Sequence, residues 1–472
     1  MKPLRVAEIA RMTGGRLHGE DRMVDAITTD TRALPRDGAV LFVALKGERF
    51  DGHDHVAQAA AAGVAAALVS REVDVPVPQV VVADTERALA DFAAAVQRER
   101  TARADRAKVI AITGSSGKTS VKSLLLSILQ RAGRAYATPG NRNNEIGMPL
   151  AVLDAPEDAQ FAIYEMGTGK PGDIAYLTAI ARPDVALVNN VAPAHLERMG
   201  SLLAIADTKA AVYDALPPQG VAVINADDAF APYFGERAHG RQLIRFGLDS
   251  SAEVSARDIR GDSDGSQFVL TTPQGEAAVS LAMPGRHNVR NALAAASLAL
   301  GAGVSLDVIV AGLDAAQAVA GRLVTHRLDS GAVLIDDSYN ANPGSLAAAI
   351  DTLAESIGRD GTREAWLVLG DMRELGADAE AMHAEAGRRA QGAGIRRLYA
   401  LGALSAATAQ AFGAGATHYD SHAALIEALR RDLGDGVRVL VKGSRGSAMD
   451  RIVTALVPEG SGTAEKGNPH VA

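Results

Sequence analysis

Short apolar runs alternate with amphipathic, alanine-rich stretches along most of the chain, and they fall into three groups. In the first, residues 40–45, 66–70 and 79–82 read as buried strands with helices between them, after a helix over 4–13 that stops at Gly14-Gly15. The second opens with Val109, Ile110 and Ile112, a buried strand that breaks into a Gly- and Ser-rich turn, with helical spacing over 121–132. Further strands are predicted at 161–165, 185–188 and 221–224. From 242 to 281 the pattern shortens to alternating runs with Gly, Asp and Ser turns, which predicts antiparallel hairpins, and a helical pair begins at His287-Asn288. In the third group, strands at 333–335, 366–369, 398–401 and 437–441 alternate with helices. Strand–helix alternation implies crossover connections and mostly parallel sheets. The expected fold is therefore α/β in three domains: 1–105, 106–320 and 321–458, with 98–106 as a polar linker and 459–472 as a disordered tail.

Composition narrows the class. A chain of 472 residues has room for about three domains. Net charge of -8 with no Lys/Arg run argues against a nucleic-acid partner. There is no cysteine, so disulfide and thiolate chemistry are excluded. The N-terminal stretch lacks the apolar core of a signal peptide, and the most apolar run, 57–69, is too short to span a bilayer. A soluble, cytoplasmic, monomeric protein is expected.

The chemistry centres on Gly114, Ser115, Ser116, Gly117, Lys118, Thr119 and Ser120. Backbone N–H groups of such a turn, backed by the positive end of a helix, cradle phosphate. Lys118 can reach the outer phosphates, and the Thr119 hydroxyl a bound magnesium ion. The usual phosphate loop has a glycine five residues before its Gly-Lys pair; here that residue is Ile112.

In open α/β sheets ligands collect at the carboxyl ends of strands. Several predicted strands end in polar groups: Glu165; Asn189 and Asn190, followed by His195; Asp336 and Asp337; Asp371; and Lys442. One such residue alone would be a cap or turn former, but so many strand ends are not explained by capping. Glu165 suits magnesium, which takes carboxylate and hydroxyl oxygens beside substrate phosphate. His195 reads equally as a ligand or a buried histidine. Lys209, in a helical run, reads on its own as a solvated surface lysine. The turn at Asp30 and Arg32, and that at Lys46, fit either a phosphate or ribose contact or ordinary turn chemistry.

Taken together the residues resemble the Mur ligase family of ATP-dependent amide-forming enzymes. The resemblance runs from about residue 24 to 456, through DTR (30–32), LFVALKGERFDGHD (41–54), TGSSGKTS (113–120), GNRNNEIGMPL (140–150), YEMG (164–167), HLE (195–197), GRHNVRNALAA (285–295), GR (321–322), DDSYNANPGS (336–345), LGDMRELG (369–376) and VKGSR (441–445). The phosphate loop, HNxxN and GR are shared with folylpolyglutamate synthases. DDSYNANP, LGDMRELG and GNRNNEIG point to the branch that joins D-alanyl-D-alanine to UDP-N-acetylmuramoyl-tripeptide. The resemblance implies an N-terminal domain for the UDP end, a central ATP-binding domain and a Rossmann-like C-terminal domain for the dipeptide.

It also implies site roles. Lys118 and Thr119 would hold ATP phosphates and magnesium, with Glu165 and Asn144 around the first of two ions, while Asn143 and Asn144 would also meet the substrate. His195 and Lys209 would hold the second, Lys209 carbamylated; here Ala210-Ala211 replaces the family's Gly-Glu after that lysine. Asn288 and Asn291 match adenine-side asparagines. Arg322, at a hinge, and Asp337 match residues that close on the nucleotide. Asn340, Asn342, Ser345 and Arg445 would meet the dipeptide, and Asp30, Arg32 and Lys46 the UDP end. Two other readings stay open: a sister ligase adding a different amino acid, and a nucleotide-binding regulator without catalysis. A ligase for the preceding step would carry an Asp-Asn-Pro-Arg-like motif where this chain has YNANP.

Overall fold

Three main sheets, each from a consecutive stretch of chain, organise the structure, a computed structural model that describes residues 1–35, 38–47, 50–193, 196–261, 265–359 and 361–457. The tail expected over 459–472 lies outside the described residues, as does His195. In the first sheet Ala26–Thr28, Val40–Val43, Ala66–Val69 and Gln79–Val81 run parallel, with Arg16–His18 antiparallel on one edge. The helix expected from residue 4 starts at Val6, because Leu4–Arg5 pairs with Met23–Val24 as a short ribbon.

The segment 98–106 is not a linker throughout. Helix Thr85–Thr101 is capped by the Asp84 carboxylate, which accepts the N–H groups of Glu86 and Arg87, and it runs on through Arg98 and Arg100. Basic residues favour the last turn of a helix. Arg100 is also fastened: its guanidinium donates to Glu157 (2.7 Å) and to the carbonyls of Val152 and Ala155 (2.5 and 2.8 Å).

The second sheet is wholly parallel, in the order Gln242–Phe246, Val221–Asn225, Val185–Val188, Lys108–Thr113, Phe161–Glu165, Ala135–Ala137. The phosphate-loop strand thus lies in the interior, and its β-branched run suits a strand covered on both faces. Gln242–Phe246 corrects the expected hairpin start. It is an edge strand in which only Phe246 is buried, so it lacks the apolar run of an interior strand, yet it pairs parallel. The antiparallel sheet comes after it, from Ser255–Gly261, Ser266–Thr272 and Gly275–Leu281.

The third sheet runs Val324–Arg327, Val333–Asp337, Val437–Lys442, Glu364–Gly370, Arg397–Leu401, Ala416–Tyr419, with only the first strand antiparallel. Alternate residues of Glu364–Gly370 fall on opposite faces: Leu367 and Leu369 in one apolar cluster, Trp366 and Val368 in the other. The first and second sheets, by contrast, share a core. One continuous cluster joins Leu89, Phe92 and Val96 to Val109, Tyr164 and Ile180. No helix among the described residues is long and apolar enough to cross a membrane.

Candidate functional site

The carboxyl ends of the second and third sheets meet around one cavity of about 680 Å³, a size that takes a nucleotide with part of a second ligand. Its floor is the phosphate loop. Gly117 opens helix Lys118–Ala132 with φ +77, a left-handed conformation that glycine adopts without strain. A Cβ there would lie 2.6 Å from both Asn189 Nδ2 and Asn291 Oδ1. The N–H groups of Ser115 and Ser116 donate to the Asn190 carbonyl and side-chain oxygen (3.0 and 2.9 Å), which fixes the loop. The N–H groups of Lys118, Thr119 and Ser120, in the first turn, precede any helical carbonyl partner, and all three residues line the cavity. The Lys118 ammonium folds back onto the Gly114 carbonyl at 2.7 Å. Burial pushes its pKa down, Glu165 opposes that, and Arg322 adds to it.

Beside the loop, Glu165 ends strand Phe161–Glu165 and is buried. Its Oε2 accepts from the Thr119 hydroxyl (3.0 Å) and faces the Lys122 ammonium (3.1 Å), while Oε1 accepts from Asn143 Nδ2 (2.8 Å). Burial pushes this carboxyl up, but Lys122, Lys118 and Asn143 outweigh burial and hold it below the usual carboxylate range. Asn144 accepts from the Gly147 N–H at 2.8 Å. Lys122 was not among the residues expected here. A lysine four positions after Lys118 shares its helix face, and on a helix otherwise buried through Val121, Leu124 and Leu125 it has to find acceptors.

The opposite wall comes from the third sheet. Arg322 follows Gly321, whose φ is +73. Its Nη2 donates to the Thr119 hydroxyl at 2.9 Å, its guanidinium lies 4.4 Å from the centre of the Tyr339 ring, and its buried Nε has no partner among the described residues. Asp337 pairs with Lys442 at 2.5 Å, and Lys442 also donates to the Asn340 carbonyl. Burial pushes the Asp337 carboxyl up against the pull of Lys442. Asn342 and Ser345 cap helix Pro343–Glu355 reciprocally, and Asn342 Nδ2 reaches across to the Ser115 carbonyl at 3.3 Å. At the remaining side, Asn189 Nδ2 donates to Asn291, and Asn291 to Asn288. His287 beside them stays neutral well into acid, its pKa pushed down to about 4 by burial and by Lys442 and Arg290.

The structure therefore gathers the loop, Asn143, Asn144, Glu165, Asn288 and Asn291 on one side, and Arg322, Asp337, Asn340, Asn342, Ser345 and Arg445 on the other. Three expected substrate residues lie elsewhere. Asp30 accepts from the Arg32 backbone and guanidinium, an exposed turn in which Arg32 holds its carboxyl down to about 2, and Lys46 pairs through its backbone with Asp51. Lys209 does not line the cavity; it is buried in helix Leu202–Asp214 and has no hydrogen-bond or ion-pair partner among the described residues. Burial, with repulsion from Lys118, pushes its pKa well down.

Family models match three consecutive parts of the chain: "Mur ligase family, catalytic domain" over 23–115, "Mur ligase middle domain" over 112–299, and "Mur ligase, glutamate ligase domain" over 321–445. Among curated relatives, the UDP-N-acetylmuramoyl-tripeptide–D-alanyl-D-alanine ligase of Escherichia coli K12 is 42% identical over 464 residues, covering 98% of this chain and 100% of that one. Among solved structures, MurF from Acinetobacter baumannii superposes with a TM-score of 0.88 at 35% identity, covering 96% of this chain and 98% of that one. MurF ligase from Thermotoga maritima in complex with ADP superposes with a TM-score of 0.80 at 26% identity, covering 91% and 96%.

Proposed function

The chain belongs to the Mur ligase family, and from that premise we propose that it joins D-alanyl-D-alanine to UDP-N-acetylmuramoyl-tripeptide at the expense of ATP. The observation that carries this reading is the single cavity in which a phosphate loop faces Arg322, Asp337 and Asn340 of another sheet. Such a site can hold a nucleotide, an acyl acceptor of phosphate and an amine together. The near full-length match to ligases of that name supports the choice of substrates over a sister ligase or a regulator.

A carboxylate does not condense with an amine at neutral pH. In this reading the tripeptide carboxylate takes the γ-phosphoryl group and ADP leaves. The dipeptide amine then attacks the acyl carbon, loses a proton, and phosphate departs. What the protein supplies is position and charge. The N–H groups at Lys118 to Ser120, with the Lys118 and Arg322 cations, hold the transferring phosphoryl group. Asn288 and Asn291 hold the adenine side. Asn340 and Arg445 offer donors to the dipeptide, Asn342 and Ser345 being already engaged in their cap. Third-sheet residues over the loop keep water from the acyl phosphate.

The residues also fit magnesium: the Thr119 hydroxyl and the Glu165 carboxylate are hard oxygen donors in contact with each other, beside the Asn143 and Asn144 amides. Bound there, the ion would neutralise phosphate charge. A second ion, held by His195 and a carbamylated Lys209, belongs to the same proposal. Its support is a buried lysine without a partner among the described residues, since only a neutral amine adds to carbon dioxide. The UDP end would rest on the N-terminal domain, 1–105, near Asp30, Arg32 and Lys46, with the central domain 106–320 and the C-terminal domain 321–458 enclosing the reaction in a cytoplasmic monomer.

The test is ATP-dependent phosphate release with the UDP-muramoyl tripeptide and magnesium, D-alanyl-D-alanine against single amino acids as acceptor. A pentapeptide product with the dipeptide alone, abolished by Lys118→Ala, is the expected result. Turnover with a single amino acid would move the protein to a sister ligase, and none with either would leave a regulator.

A further inference from the structure

We propose that Lys122 is a positioning residue that holds the Glu165 carboxylate in place as an oxygen donor toward magnesium and ties it to the 138–144 wall of the cavity. Lys122 is buried, and its ammonium meets three acceptors: Glu165 Oε2 at 3.1 Å, the Thr138 carbonyl at 2.9 Å and the Gly140 carbonyl at 2.8 Å. A lysine has three protons to donate, so none is left for a phosphate, and its action has to pass through Glu165. The two carbonyls belong to the stretch that leads to Asn143, which binds the other oxygen of the same carboxylate at 2.8 Å. Glu165 is thus gripped on both oxygens by one stretch of chain, directly through Asn143 and indirectly through Lys122. Oε2, when it holds a cation, would give up the Thr119 hydroxyl proton it now accepts, while Lys122 would stay, pinned by the carbonyls of Thr138 and Gly140.

The inference rests on the reading of Glu165 as a magnesium ligand, and two opposed effects make it decidable. As a charge alone, Lys122 repels a cation, so its removal would tighten magnesium. As a positioning group, its removal would loosen it, by roughly 10- to 100-fold as for other groups that orient a metal ligand.

ATP affinity is measured by calorimetry in EDTA and across a magnesium titration, with thermal melts to check folding. Lys122→Met is expected to weaken the magnesium-linked gain in ATP affinity by roughly 10- to 100-fold and to leave ATP binding in EDTA unchanged. Lys122→Arg, which keeps the cation and several donors, is expected to fall between Lys122→Met and the wild type. On a Glu165→Gln background Lys122→Met is expected to add nothing, because the pathway through Glu165 is already gone. Equal loss in EDTA, tighter magnesium binding, or full additivity with Glu165→Gln each overturns the proposal. Should Lys122→Met not fold, Lys122→Arg decides alone: a weakened magnesium response with EDTA affinity kept supports the proposal, and any other pattern overturns it. A wild-type protein whose ATP binding ignores magnesium would instead refute the reading of Glu165 itself.

Discussion

Replacing Arg322 by alanine should slow turnover far more than it unfolds the protein. The guanidinium makes one bond across the seam between the second and third sheets, to the Thr119 hydroxyl at 2.9 Å, and is held for it by a stack on Tyr339, on its own side of the seam, at 4.4 Å. A hydrogen bond from a charged donor contributes about 1.5–3 kcal/mol, and a partly desolvated cation–π contact about 0.5–2 kcal/mol. Only the bond spans the seam, so about 1.5–3 kcal/mol is lost from the closed arrangement, or roughly 10- to 150-fold in rate, while the stack belongs to the third sheet's own packing. Folding suffers less, because the Nε proton has no partner among the described residues and its burial cost disappears with it. The loss should fall on kcat, since the phosphate loop itself is untouched and ATP still binds to it. Arg322→Lys keeps the charge but neither the planar stack nor the fork, and should lie nearer to alanine than to wild type. Steady-state phosphate release, with calorimetric ATP affinity alongside, measures the split. A kcat within about threefold of wild type would refute the reasoning.

Three further outcomes rest on the same geometry. Gly117→Ala should abolish ATP binding and also lower the melting temperature: the left-handed backbone costs about 1–2 kcal/mol, and the new methyl lies 2.6 Å from atoms of the buried Asn189 and Asn291; calorimetry and a thermal melt check both. Arg100→Ala removes bonds to Glu157, Val152 and Ala155 from a nearly buried guanidinium and should lower unfolding stability by about 2–4 kcal/mol, read from urea midpoints. Acid should destabilise the fold through His287. Its pKa is near 4 when folded against an unfolded value of 6.5, so the unfolded chain binds the extra proton between them. Stability falls as pH drops from 6.5 to 4, by about 3 kcal/mol, and then levels off; His287→Gln should flatten the melting temperature over that window.

The phosphate loop and Glu165 were legible because their chemistry is local: a glycine turn between strand and helix, and an acid ending an apolar run. Asp337 was legible as a polar strand end, but Arg322 only through the family pattern, since nothing near it in the chain shows that it will face residues 114–120. Lys122 escaped because its acceptors are the carbonyls of residues 138 and 140 and a carboxylate at 165, none of which its own helix reveals. Asn342 and Ser345 show the converse: read as substrate groups, they are first of all a helix cap. The strands Val324–Arg327 and Ala416–Tyr419 were missed because edge strands, half exposed, lack the apolar run that marks interior ones. Gln242–Phe246 was misassigned for the same reason.

The way the apolar cores are partitioned bears on how the chain could be cut. Because Phe92 and Val96 share one core with Tyr164 and Ile180, separating the first hundred residues from the rest of the chain would bare apolar surface on both pieces. The third sheet closes both of its faces with its own side chains. A break before Gly321 would sever one covalent link and a few polar contacts, leaving two fragments whose interiors are each complete. Expressed separately, they should be soluble and reassemble on nucleotide, which makes this joint a natural place to build a split reporter of ATP occupancy.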